Sequence, residues 1–142
     1  MEFNDILFNV KCAKKIFIIG NGGSYANAMH IANDLLLVGK AAYTLDPATL
    51  TATANDFGYE YIYSKWLARV AEAGDLLIAL SGSGKSKNIL NAVTYAEMIG
   101  MRVVKIYGAE RRLLMQPAEE EQLNIGHRLM MALKHEREGT EG

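Results

Sequence analysis

Short apolar runs of strand length alternate along the chain with stretches whose apolar residues recur every three or four positions. Ile16-Phe17-Ile18-Ile19 runs straight into Gly20-Asn21-Gly22-Gly23, the mark of a buried strand entering a turn. From Ser24 the period becomes helical: Ala28, Ile31, Ala32, Leu35 and Leu36 share one face, and Ser24 is a good N-cap. A short strand is expected at 41–45, then a turn at Asp46-Pro47. The spacing predicts a helix over 59–71 closed by Gly74, and a strand over 76–80 that opens into Ser81-Gly82-Ser83-Gly84-Lys85-Ser86. A helix over 88–99 follows, with Ile89, Ala92, Val93 and Ala96 inward and Gly100 as its C-cap. A strand over 102–107 and a closing helix over 119–136 complete the pattern, with a tail that frays. Between them, Arg112–Met115 offers at most the stub of another strand. Such alternation predicts an α/β three-layer sandwich: a four- to five-stranded parallel sheet with helices on both faces. No linker, repeat or low-complexity tract interrupts it, so 1–142 reads as a single domain.

Composition narrows the function classes. The 142 residues carry 15 Lys and Arg against 16 Asp and Glu, a formal net charge of −1. Nothing in that balance suggests a nucleic-acid or anionic-membrane partner. No apolar run approaches the ~18 residues of a membrane span. The opening Met1–Asn9 carries acids and lacks a secretory pattern, so a cytoplasmic protein is expected. The lone Cys12 rules out an internal disulfide or a Cys-rich metal site and reads as small core filler.

The chemistry is expected where strands end. In an open parallel sheet, ligands bind beyond the carboxyl ends of the strands. Two loops fall there, Gly20–Ser24 and Ser81–Ser86, each leading into a helix whose free N–H groups and partial positive charge favour phosphate. Glycine allows close approach, and serine hydroxyls donate to phosphate oxygens. Either loop alone is equally readable as a tight turn. Lys85 lacks the partner glycine of a P-loop, and the first loop lacks the third glycine of a dinucleotide fingerprint, so no nucleotide cofactor is expected.

Three motifs in order make the pattern specific. Ile18 through Ser24 with Ala28-Met29-His30, Ala54 through Tyr59 with Tyr63-Ser64, and Gly74 through Ser86 together resemble the sugar isomerase (SIS) domain family, and within it the phosphoheptose isomerases. The resemblance implies a flavodoxin-like SIS fold and a phosphorylated sugar as ligand. It makes Asn21, Gly22, Gly23, Ser24, Asp56, Ser81, Ser83 and Ser86 the substrate-binding residues. Family enzymes interconvert sedoheptulose 7-phosphate and D-glycero-D-manno-heptose 7-phosphate by proton transfer through an enediol, which needs a carboxylate and a histidine about C1 and C2. Asp34 stands where the family usually has Glu, four residues after His30 and on the same helix face. His127 matches the second histidine, so the catalytic pair implied is Asp34 and His127. Some relatives bind zinc at these positions, which here are His30, Asp34, Glu119 and His127, a competent nitrogen and oxygen donor set. Glu119 replaces the family's usual Gln and lies in an acidic run that also suits a helix start.

The chain departs from the family pattern. It has about fifteen residues before the first strand, where family members carry a longer helical region, and little sequence between Gly108 and Glu119. A second reading therefore stays open: a non-catalytic SIS module that binds a sugar phosphate or a protein in regulation. A homo-oligomer, dimer or tetramer with sites near the subunit interfaces, is expected from the apolar positions on the helix after Ser24 and on the closing helix.

Overall fold

A computed structural model of the chain describes residues 2–108 and 115–141. The possible strand stub lies outside the described residues at 112–114, and Met115 begins a helix.

Four strands, β1 (Lys15–Ile19), β2 (Ala41–Tyr43), β3 (Leu76–Ser81) and β4 (Arg102–Tyr107), form one sheet in the order β2-β1-β3-β4. Every pairing is parallel, with Phe17 opposite Leu77 and Leu77 opposite Val103. The six residues of β3 are all buried, as a central strand covered on both faces requires. Alternate residues feed two cores. Ile16, Ile18, Leu76, Ile78 and Leu80 pack with helices α1 (Phe3–Cys12), α2 (Gly23–Leu37) and α6 (Met115–Glu141). Phe17, Ile19, Leu77 and Ala79 pack with α4 (Ile62–Val70) and α5 (Lys87–Ile99), helped by Leu50 and Ala54 of α3 (Pro47–Phe57). The expected α/β three-layer sandwich is therefore present, with four strands among the described residues.

Several local expectations are corrected. Asp46-Pro47 is the start of α3: the Asp46 carboxylate accepts the Thr49 N–H at 3.0 Å and proline occupies the first turn. Its threonines leave only Thr53 fully buried, so no apolar stripe announces the helix. The segment 59–71 begins with a 3₁₀ turn, Tyr59–Tyr61, and becomes α-helical only at Ile62. Gly22, at φ 56°, takes the N-cap place of α2, and Ser24 lies inside its first turn, buried. Leu36 is 49% exposed, one helical step past the buried stripe that ends at Leu35. Cys12 is exposed rather than core filler, because α1 turns Ile6 and Val10 inward and places Cys12 on the other side. The closing helix extends beyond 119–136 at both ends, to Met115 and Glu141.

Candidate functional site

The carboxyl ends of β1 and β3 lie side by side, which brings the two glycine- and serine-rich loops together. The first turns so tightly that a Cβ on Gly20 would lie 2.6 Å from the Ser24 main chain. Tyr63, fully buried on α4, donates its hydroxyl hydrogen to the Gly20 carbonyl and so fixes the loop from beneath. Burial pushes the Tyr63 phenol well above its ordinary range, keeping that donor protonated. In the second loop, Ser81 Oγ accepts the Gly84 N–H at 2.8 Å and Ser83 Oγ accepts the Lys85 N–H at 3.1 Å. A hydroxyl that accepts still has its own hydrogen to give, so both serines remain donors toward a ligand. Ser86 occupies the N-cap position of α5 without a side-chain capping bond. Asn21, Ser24, Ser81, Gly82, Ser83 and Ser86 line one small pocket at this junction. The N-termini of α2 and α5 flank it.

Asn21 and Asp56 stand differently from the serines. The Asn21 carboxamide is engaged by Asn88 and Tyr59. Asp56 is exposed on α3, where its Oδ1 accepts from Asn55 Nδ2 at 3.3 Å, and it does not line the pocket.

A polar seam runs between α2 and α6, which lie alongside one another in the same direction. Asn27 Nδ2 donates to the Glu119 carbonyl at 2.8 Å and to Gln122 Oε1 at 3.1 Å. Further along, Gly126 abuts Ile31, and His30 Nε2 meets His127 Nε2 at 3.2 Å. Asp34 Oδ2 also lies 3.2 Å from His30 Nε2. That approach lacks hydrogen-bond alignment, so the buried Oδ2 has no hydrogen-bond partner. Ligand atoms of His30, Asp34 and His127 all fall within 4.8 Å of one another. Two imidazole nitrogens turned toward each other and an unsatisfied buried carboxylate oxygen fit a divalent cation of the zinc type. Glu119 stands apart from this group: its carboxylate lies over Gly23, where a Cβ would come within 2.3 Å of it. Glu119 thus sets α6 against the first loop.

Sequence reading missed the residues that hold this frame. Asn27, Gln122, Asn88 and the Tyr63 hydroxyl are buried or half-buried polar groups bonded across elements far apart in sequence. The one available signal was spacing, since Asn27 precedes His30 by a helical turn and Gln122 follows Glu119 by one.

A four-stranded parallel sheet in this order, with a serine pocket at its carboxyl end, defines a phosphosugar-binding α/β domain. The chain belongs to the SIS domain family, which matches it over residues 5–108. It is 41% identical over 107 residues to a phosphoheptose isomerase of Campylobacter concisus, an alignment covering 70% of this chain and 57% of that protein. It is 40% identical over 103 residues to the phosphoheptose isomerase of Glaesserella parasuis, covering 68% and 54%. The chain thus spans about half the length of the curated relatives it matches. The structure of a phosphoheptose isomerase from Neisseria gonorrhoeae superposes with a TM-score of 0.82 at 26% identity, covering 94% of this chain and 83% of that one. One from Francisella tularensis gives 0.83 at 27%.

Proposed function

We propose that this chain is a sugar-phosphate isomerase acting on a seven-carbon substrate, sedoheptulose 7-phosphate, as its relatives' names suggest. The observation that carries the reading is the convergence of His30, Asp34 and His127 on a fold whose neighbouring loops form a serine-lined pocket. The phosphate is held by the Ser24, Ser81, Ser83 and Ser86 hydroxyls and by main-chain N–H groups of Gly22 and Gly23 at the start of α2. Asp34 removes the carbon-bound proton of the open-chain sugar, and His127 supplies the proton that the adjacent carbonyl oxygen takes up as the enediol forms. Reversal at the neighbouring carbon completes the aldose–ketose exchange. Burial of Asp34 keeps water from competing for its proton. In place of that acid–base role, the same His30, Asp34 and His127 would serve as ligands in a zinc-bound form, with Glu119 a fourth donor if its side chain turns from Gly23. A bound cation supplies carbonyl polarisation. Met29, Leu36 and Leu37 on α2 and Met131 on α6 are exposed, which supports assembly into a dimer or tetramer.

The test is a coupled assay for loss of sedoheptulose 7-phosphate, with and without added zinc, beside calorimetric binding. Turnover abolished in Asp34→Asn and His127→Ala is expected, together with a binding loss of ~1–2 kcal/mol in Ser83→Ala. Wild-type binding without turnover would instead assign the chain to a module that binds a sugar phosphate without converting it.

A further inference from the structure

We propose that Asn88 is a positioning residue for the phosphate pocket: its carboxamide, paired face to face with that of Asn21, ties the two loops together and sets the spacing of their hydroxyls. The inference rests on the reading that these loops hold a phosphate. Asn88 lies in the first turn of α5, directly after the second loop, and is 2% exposed. Its Nδ2 donates to Asn21 Oδ1 at 2.7 Å, and Asn21 Nδ2 returns the bond to Asn88 Oδ1 at 2.8 Å. Tyr59 adds a third segment, donating its hydroxyl hydrogen to Asn21 Oδ1 at 2.9 Å from the 3₁₀ turn before α4.

The chemistry of the pair explains the residue types. A reciprocal bond needs one donor and one acceptor on each side chain, which asparagine has and aspartate lacks when ionised. An apolar residue in place of Asn21 would strand the buried Asn88 amide, and one in place of Asn88 would leave the half-buried Asn21 carboxamide with Tyr59 alone. The geometry explains why a ligand would register the pair. The last paired residues of β1 and β3 are Ile19 and Ala79, so the strand ladder stops short of Asn21 and of the loop that follows Ser81. A phosphate shared between the loops needs donors from both within about 2.7–3.2 Å. The Asn21–Asn88 pair, 67 residues apart in sequence, spans that gap. Asn21 therefore serves the pocket through this bond and its main chain rather than as a free amide.

A double-mutant cycle on ligand affinity tests this. Inorganic phosphate and sedoheptulose 7-phosphate are titrated calorimetrically into the wild type, Asn21→Ala, Asn88→Ala and the double variant, below every melting transition. Each single change should raise both dissociation constants about 5–10-fold, and the double should raise them no further than the worse single. With turnover, KM should rise while kcat holds, a split that a purely fold-stabilising role would not produce. Unchanged phosphate affinity in folded Asn88→Ala, or a double effect equal to the product of the singles, would overturn the proposal. Should Asn88→Ala fail to fold, Asn21→Ala and the exposed Tyr59→Phe decide it, and unchanged phosphate affinity in both overturns it. A wild type that binds inorganic phosphate but not the sugar phosphate defeats the seven-carbon reading while the cycle on phosphate still decides this one. A wild type that binds neither defeats both.

Discussion

Replacing Gly126 with alanine tests whether the contact between α2 and α6 sets the histidine geometry. The new methyl would lie 2.5 Å from Ile31 Cγ1 and 3.0 Å from its Cδ1. Ordinary carbon contacts need roughly 3.5–4.0 Å, so the two helices must separate by about 1 Å. Ile31 is 2% exposed and Cγ1 sits near the main chain, so the side chain has little room to yield. Overpacking of this kind costs about 1–3 kcal/mol. Against it stands the gain of alanine over glycine inside a helix, about 1 kcal/mol. The net expectation is a loss of ~1 kcal/mol and a fall in melting temperature of about 3–4 °C. The same separation would spread the 3.2 Å approach of His30 to His127, so zinc affinity should fall more steeply than stability. Calorimetric melting and a competitive zinc titration measure the two. Ile31→Ala removes both colliding atoms, so the double variant should lose less than the sum of the singles. A Gly126→Ala protein that melts higher, by the propensity gain alone, would refute the packing argument.

Two further outcomes follow from the polar groups around the site. Tyr63→Phe strands the buried Gly20 carbonyl and should cost ~1–2 kcal/mol in urea unfolding, while an unchanged midpoint would show that the loop is not held from below. The Asp46 carboxyl is held below its ordinary value of 3.8, first by the hydrogen bond from the Thr49 main-chain N–H. Its contribution to stability is fully present above 3.8 and is lost as the pH falls from there through the lower value the folded carboxyl takes. Asp46→Asn keeps an acceptor at the cap without the titration, so its urea midpoint should vary less than the wild type's between about pH 6 and pH 3, and parallel curves would count against the cap.

The elements that sequence pattern revealed are those with one strong physical cause. β1 and β3 are continuous apolar runs because both their faces are covered, and the loops after them advertise themselves through glycine and serine. α5 was legible from its stripe and from Gly100, which takes the left-handed conformation at its C-cap. α3 is hidden because only Thr53 is fully buried and no apolar stripe marks it, whereas α1 does carry a stripe, Phe3, Ile6, Leu7 and Val10, and its ten residues went unread as a helix despite that spacing. The histidine–aspartate spacing on α2 is local and was readable. The pairing of Asn88 with Asn21 and of Gln122 with Asn27 is not, since neither residue type announces a partner in another element.

The glycine run of the first loop shows how far local rules reach. From sequence, Gly20, Gly22 and Gly23 look like one feature, a flexible phosphate loop. In the fold they answer three separate demands. Gly20 lets the chain double back against Ser24, and Gly22 takes a positive φ of 56° that a side chain would resist. Gly23 clears space for the Glu119 carboxylate of α6. The first two are local and belong to any such turn. The third arises only because α6 packs along α2, and that packing also carries His127 to His30 and Asp34. One glycine of the first loop is therefore tied to the packing that places His127 against His30 and Asp34. The pocket and the seam thus meet at the start of α2, where the Glu119 carboxylate of α6 lies over Gly23.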